Sequence, residues 1–512
     1  MLIPLLLLGI SGLWFAWGIL TALWSPLRTI PGPFLSRFTN GWYFWRVVRW
    51  QFQVEQVELH RKYGPVVRLG PKRFSFAEPE ALKTIYGHGT DFSKSEWYSA
   101  FNLPRPYSIE RWNMFATSDS KLHAKQRRPF MSMYSMSSLL SYEPYVDECA
   151  DLFTQRLTEF AHGGKVIDMG HWLQCFAFDV IGLMTSGARY GFLDRGDDIR
   201  GIMGALEGMI KYSTAIGIYP RLHPYLYKLQ TLLPKGPPSG MNYATSFVEA
   251  KIDEYKSGKN TPTTQGDGAA QTFLAKLFNK HRENPKEFTS YHIFAAASSN
   301  IVAGSDTSGI ALSSILYHLI KYPRCMIALR EEIDNSQRQG LLSVRPTFKE
   351  SSDMPYLQAV IKEAMRLHSS VALPYERVVP DGGATICGRF FPAGTVVGVN
   401  PYVQHRIKSI WGEDVEEFRP ERWLTSKKDQ LALMNRHWIP FGSGSRTCLG
   451  KNISLLEMQK LILRIVREFD FKFKEGSSQN WKTENFWFDK PKGWQVEVAV
   501  RGKGITEEPV TD

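Results

Sequence analysis

Ten residues hold the densest chemistry in the chain: Phe441-Gly442-Ser443-Gly444-Ser445-Arg446-Thr447-Cys448-Leu449-Gly450. Cys448 offers a soft sulfur. As a thiolate it can bind an iron axially and push electron density onto it, which favours O–O cleavage. A thiolate needs positive charge or backbone N–H donors nearby. Gly442 and Gly444 permit backbone angles and close approaches that a side chain would block. Gly450 falls just inside the next predicted helix and lets it lie close to a flat macrocycle. Arg446, two residues before the thiol, can pair with a haem propionate, and Phe441 can pack near the sulfur and shield it from water. For a cysteine taken alone, a Gly-rich turn around a buried structural thiol explains as much. Gly442-x-Gly444 begins like a dinucleotide loop, but position 447 is Thr where that loop requires Gly. No G-x-S-x-G elbow occurs.

Three further patterns stand upstream. Glu363-Ala364-Met365-Arg366 puts opposite charges on one face of a predicted helix. Phe418-Arg419-Pro420-Glu421-Arg422-Trp423 follows. Ala303-Gly304-Ser305-Asp306-Thr307 lies mid-way along a long predicted helix, where glycine and hydroxyl residues weaken the backbone ladder and open a local groove. The Cys448 loop resembles the cytochrome P450 signature Phe-x-x-Gly-x-Arg-x-Cys-x-Gly at every fixed position. The three upstream patterns resemble that family's Glu-x-x-Arg, Pro-Glu-Arg-Phe and Ala/Gly-Gly-x-Asp/Glu-Thr motifs, with Trp423 in place of Phe. The resemblance covers roughly residues 30–500.

That resemblance implies a mainly α, triangular fold with small β-sheets around haem b. Cys448 is then the axial ligand of the haem iron. Glu363, Arg366 and Arg422 form a buried charge network behind the haem. Asp306 relays protons, and Thr307 hydrogen-bonds dioxygen and ordered water. Arg127 takes the Arg position of a Trp-x-x-x-Arg helix that contacts a propionate, with His123 in the Trp position, and Arg377 is a further propionate partner. Substrate is expected between the 90–120 loop, the helices near 200–230, residues 294–303, Val371–Leu373 and the Phe486-Trp487-Phe488 turn. Lys121, Lys125 and Arg128 form a basic face for an acidic electron donor, a membrane-bound NADPH reductase. The implied reaction is a monooxygenation: one atom of O2 enters an apolar small molecule, and water is the other product. Residues 119–134 and 402–424 are most similar to filamentous-fungal members that modify secondary metabolites. Oxidative coupling, desaturation or rearrangement at the same haem is the first alternative. A non-catalytic, membrane-tethered haem-binding protein is the second, and it would not need Asp306 and Thr307.

The 512 residues are 43% apolar and 22% charged, enough for a large core and a buried cofactor. The net charge of +12 suits an anionic membrane or an acidic partner; no basic run with interleaved aromatics points to nucleic acid. Five scattered cysteines without a CxxC pair exclude a disulfide scaffold and a structural zinc site. Met1 to Trp24 carries no charge, and as a helix it spans roughly 36 Å, enough for a bilayer core of about 30 Å. No basic residue precedes the apolar run and no small-x-small cleavage site follows it, so residues 1–24 read as an uncleaved single-pass anchor. Arg28, Arg37, Arg46 and Arg49 then place the body on the cytosolic side of the endoplasmic reticulum. The Pro-rich stretch 25–40 is a hinge, 41–505 the catalytic domain and 506–512 a flexible tail. Trp42, Tyr43, Phe44, Trp45 and Trp50 belong either to a membrane face or to the core.

Periodicity predicts helices over 50–63, from Pro79, through most of 121–232, and over 291–320, 354–368 and 450–468. Strands are predicted at Val66–Leu69, Arg73–Phe76, Thr385–Cys387, Arg389–Phe391 and Val396–Val399, with a strand-rich tail. Residues 90–120 read as a long loop and 256–270 as a surface linker.

Overall fold

The computed structural model describes residues 24–104, 113–232, 240–258, 271–425, 427–476 and 481–502. The expected anchor lies, but for Trp24, outside the described residues, as do most of the 256–270 linker and the 506–512 tail. Among the described residues no helix is long and apolar enough to cross a membrane. The body is mainly helical with four small sheets.

The helices that build the site are α1 (Ser120–Arg127), α2 (Met169–Ser186), α3 (Ile202–Ile216), α4 (His223–Leu232), α5 (Ser290–Lys321), α6 (Pro355–Leu367) and α7 (Lys451–Glu468). α5 is the axis of the core. It starts at a capping box in which the Thr289 amide donates to His292 Nδ1 at 3.1 Å. From Ser308 to Leu319 every residue is buried. α2 is buried on all faces from Leu173 to Ser186 and packs along α5. A Cβ on Gly309 would come within 3.0 Å of the Gln174 backbone, so glycine is what allows this close crossing. α6 begins at Pro355, and the amides of Tyr356 and Leu357 donate to Glu332 at 2.7 and 2.9 Å.

The strands are β1 (Val66–Gly70), β2 (Arg73–Phe76), β3 (Ser93–Lys94), β4 (Ile167–Asp168), β5 (Arg377–Val378), β6 (Ala384–Ile386), β7 (Arg389–Phe391), β8 (Val396–Val399), β9 (Phe469–Phe473), β10 (Lys482–Phe486), β11 (Phe488–Lys492) and β12 (Gln495–Val500). The largest sheet has the order β1-β2-β8-β5-β3. Its β2–β8 pair is parallel and joins segments far apart in the chain, Arg73–Phe76 and Val396–Val399; its β3–β5 pair sets Lys94 opposite Arg377.

Three expectations change. The 90–120 stretch is not structureless: it holds β3 and a 3-10 turn over Glu96–Phe101, started by the Ser95 side chain accepting from the Trp97 amide. Cys387 is not in a strand, because β6 ends at Ile386 and Cys387 (φ 49) with Gly388 (φ 74) makes a two-residue hairpin turn. The early aromatics divide: Tyr43 is core, and Trp45 is 62% exposed.

Candidate active site

The Cys448 loop is closed by its own backbone. The Cys448 amide donates to the Phe441 carbonyl at 2.8 Å, and the Thr447 amide and hydroxyl both donate to Gly444 O, at 3.1 and 2.7 Å. Gly442 and Gly444 have φ of 75° and 66°. A Cβ on Gly444 would lie 1.9 Å from the Tyr86 carbonyl oxygen, so no other residue fits there. Phe441 packs its ring 5.9 Å from that of Trp438. Of the five thiols, Cys149, Cys175 and Cys325 are buried, Cys387 is half-buried and Cys448 alone is exposed. Yet protein surrounds Cys448 closely enough that burial pushes its thiol up, while the Gly450 and Lys451 amides and the Arg127 and Lys451 charges pull the other way. The sulfur therefore borders an internal space rather than the outer surface. A bound metal cation would add the charge that favours the thiolate.

Four side chains expected to meet propionates come together with one that the sequence did not single out. Arg446, Arg127, Arg377 and His123 are close enough to perturb one another, and Lys94 is the fifth member. Arg446 also ties the loop to the start of α1: its Nη1 donates to Thr117 O at 2.7 Å and its Nη2 to Ser118 O at 3.1 Å. Lys94 is brought in by the β3–β5 register, and its ammonium donates to the Phe115 carbonyl and lies 4.2 Å from the Tyr98 ring centre. Burial first, then the Arg377 and Arg446 charges, push Lys94 well below its ordinary value. Burial and the surrounding cations hold His123 at about 3, so it is neutral at pH 7. Glu376, just before β5, is already taken by Arg73 and Ser95. Such a cluster calls for anionic groups from outside the chain.

On α5, Asp306 is buried and its Oδ1 accepts from the Gln174 amide and from Lys490, 3.2 Å away. Thr307 donates its hydroxyl to Ala303 O at 2.7 Å, and Ser370 donates to Thr307 O at 2.9 Å. The predicted weakening of the ladder takes this form, a side chain bonded back to the carbonyl four residues earlier, within a helix that runs unbroken. Ala303 is exposed in the middle of a core helix, the same sign of an internal space as at Cys448. One apolar cluster joins four of the five expected substrate segments: Trp97, Tyr98 and Ala116; Ile210; Val371 with Leu373; and Phe486 to Phe488. From α5 it takes Ile310 rather than residues 294–303. Trp487, at φ 88, packs 4.9 Å from Trp97 and 5.9 Å from Tyr375.

These residues fit a haem. A Cβ on Gly450 would meet only Cys448 Sγ, at 4.0 Å, leaving a flat face beside the sulfur. Among the described residues no group of three or more His, Cys, Asp or Glu side chains can hold a metal ion. The cation cluster suits two propionates. The model of the cytochrome P450 family matches residues 31–497. The chain belongs to the cytochrome P450 family. It is 40% identical to pisatin demethylase of Fusarium vanettenii over 96% of this chain and 93% of the relative. It is 37% identical to the cytochrome P450 monooxygenase cicH of Emericella nidulans over 94% and 95%, and 34% identical to the monooxygenase gsfF of Penicillium aethiopicum over 97% and 98%. It is an oxidoreductase of the monooxygenase class, and the family brings haem iron, a small-molecule substrate, dioxygen and a redox partner.

In this cytochrome P450 the Glu363 network is buried and closed. Glu363 accepts from Arg366 at 2.9 and 3.0 Å and from Arg422 at 2.8 Å. The Arg419 amide and the Trp423 indole N–H complete its shell at 3.1 and 2.9 Å. Trp423, in the family's Phe position, thus gains a donor that Phe lacks. Arg366 spends its remaining donors on the carbonyls of His405, Val415 and Glu417. Burial raises the Glu363 carboxyl, but Arg366 and Arg422 outweigh it and leave it below its ordinary value.

Proposed function

We propose that this cytochrome P450 is a membrane-anchored haem-thiolate monooxygenase. It would insert one oxygen atom from O2 into an apolar small molecule, as a step in secondary metabolite biosynthesis. The observation that carries the reading is the state of Cys448, an accessible thiol enclosed by protein, where the Gly450 and Lys451 amides and the Arg127 and Lys451 charges work against the burial that raises it. Haem b held there supplies the activation of dioxygen, using two electrons from NADPH through a reductase. Cys448 would give the iron its sulfur ligand, and Lys94, His123, Arg127, Arg377 and Arg446 would hold the propionates. Asp306 and Thr307 manage protons on the face of α5 next to Ala303. The aromatic cluster around Trp487 gives substrate an apolar wall. Lys121, Lys125 and Arg128 are all exposed, as a docking face for the reductase requires.

Support for the membrane reading comes from the surface. Phe34, Leu35 and Trp45 are exposed, as are Tyr225, Leu229 and Leu232 on α4. The Phe44–Tyr219 ring contact, at 5.9 Å, links the two segments. An apolar face beside an uncharged N-terminus suits a bilayer surface, here that of the endoplasmic reticulum with the body in the cytosol. The test is chemical. Holoenzyme, reductase and NADPH are added under isotope-labelled dioxygen to an extract from a strain lacking the gene. One accumulated metabolite should disappear into a product carrying a single labelled atom. A product with no label, formed with normal NADPH consumption, would favour coupling or desaturation instead.

A further inference from the structure

A second charge cluster lies outside the Cys448 loop and the Glu363 network. Lys490 on β11 is 3.2 Å from Asp306 on α5 and 3.3 Å from Glu207 on α3. Glu207 also pairs with Lys492 at 2.7 Å and Lys211 at 2.9 Å, and Lys211 reaches Glu484 at 2.6 Å. Side-chain exposure climbs along this row, from 1% at Asp306 through 15% at Lys490 and 19% at Glu207 to 37% at Glu484. The outer members Glu484 and Lys492 line a surface cleft of about 840 Å³. Alternating charges thus join a buried acid to water.

The contacts of Asp306 are one-sided. Oδ1 takes both the Gln174 amide and Lys490, while Oδ2, equally buried, has no hydrogen-bond partner among the described residues. A buried carboxylate oxygen left without a donor is costly. Such an atom calls for an explanation, and one explanation is a role in chemistry.

We infer that Lys490 is a positioning residue for the oxygen chemistry: it holds Asp306 by Oδ1 so that Oδ2 stays free to exchange a proton, and Glu207 competes for the same ammonium. The inference rests on the reading of Asp306 given above. Burial works against charge on Glu207, but Lys490, Lys492 and Lys211 more than offset it and hold the acid at about 2. Burial likewise works against Lys490, and Asp306 and Glu207 outweigh it, so its ammonium is raised. Neither partner titrates near neutral pH, and the competition is constant. The other groups turned toward this stretch of α5 are few. α2 contributes the Gln174 amide; α7 contributes Glu457, which reaches Ser308; and His368, just beyond α6, faces Asp489 rather than Asp306. α3 carries Ile210 into the apolar cluster with Trp487, three residues from Glu207. Movement of α3 against a substrate therefore changes how Lys490 is shared.

The test compares Lys490→Met, Lys490→Arg, Glu207→Gln and Asp306→Asn in the holoenzyme with reductase. The first readout is the pH profile of NADPH-driven dioxygen uptake. Loss of the Lys490 charge should move its midpoint upward by about one unit, tenfold in proton activity. Lys490→Arg should restore it, and Glu207→Gln should move it the opposite way. The second readout is amide hydrogen exchange, which does not depend on turnover: α3 should exchange faster in both Lys490→Met and Glu207→Gln. A wild-type midpoint in Lys490→Met, with Asp306→Asn flattening the profile, overturns the role of Lys490 and leaves that of Asp306 standing. A wild-type profile in Asp306→Asn overturns both. Unchanged α3 exchange in both variants overturns the link to α3.

Discussion

Two buried acids, Glu363 and Asp306, each lie against cations, and they are built to opposite ends. Glu363 has both oxygens filled by two arginines, an indole and a backbone amide, and its side chain is wholly buried. Asp306 has one oxygen filled, one free, and a lysine shared with a second acid nearer to water. A closed shell fixes geometry and leaves nothing to exchange. An open one stores a polar group that can act. Glu457 on α7 sharpens the contrast. It is fully buried and reaches Ser308, with its Oε2 unpartnered among the described residues. Without a cation, burial pushes its carboxyl up to about 8, so it carries a proton at pH 7.

The largest effect should come from breaking the closed shell. Glu363→Ala strands two buried arginines and should destabilise the fold by about 3–5 kcal/mol, read as denaturant midpoint or failure to retain haem. Asp306→Asn should change stability far less, because Lys490 keeps Glu207; an equal loss from both would erase the distinction. Next is Glu457→Gln. The ordinary glutamate value is 4.5, so between there and about 8 the folded chain keeps a proton that the unfolded chain has lost, and stability falls as pH rises through that window. Glutamine removes this dependence. The variant should gain roughly 3 kcal/mol over wild type at pH 7 and little at pH 4.5, seen as a melting-temperature difference that widens with pH. The smallest effect is expected from Trp423→Phe, which removes one donor to Glu363 and should cost about 1.5–2 kcal/mol in chemical denaturation. No cost would mean that the indole N–H is not needed to close the shell.

What the sequence made legible follows from where the residues lie along it. The Cys448 loop, Glu363 with Arg366, and Asp306 with Thr307 are short local patterns; α6 and α7 have strong helical periods, and α5 is a long apolar run with little charge. The structure pairs Glu363 with Arg366, carries Asp306 and Thr307 on α5, and closes the Cys448 loop on the Phe441 carbonyl. Lys94 was not legible because it reaches Arg446 through β3 pairing with β5, far along the chain. Lys490 and Glu207 were missed for the same reason: a strand-borne lysine and a helix-borne glutamate look like surface charges until the hairpin packs on α5. Trp423 looked like a mild departure from the family pattern, and only the distance to Glu363 gives it a task. The 90–120 stretch lacked a period because its order comes from a two-residue strand and a cap at Ser95, both too short to leave one.

Cys448 carries the whole account, and one spectrum tests it most directly. The dithionite-reduced, carbon-monoxide-bound protein should show the red-shifted Soret band of thiolate ligation, and Cys448→Ser should lose that band while retaining the far-ultraviolet dichroism of the fold. A folded Cys448→Ser protein that keeps the band would contradict the assignment of Cys448 as the iron ligand.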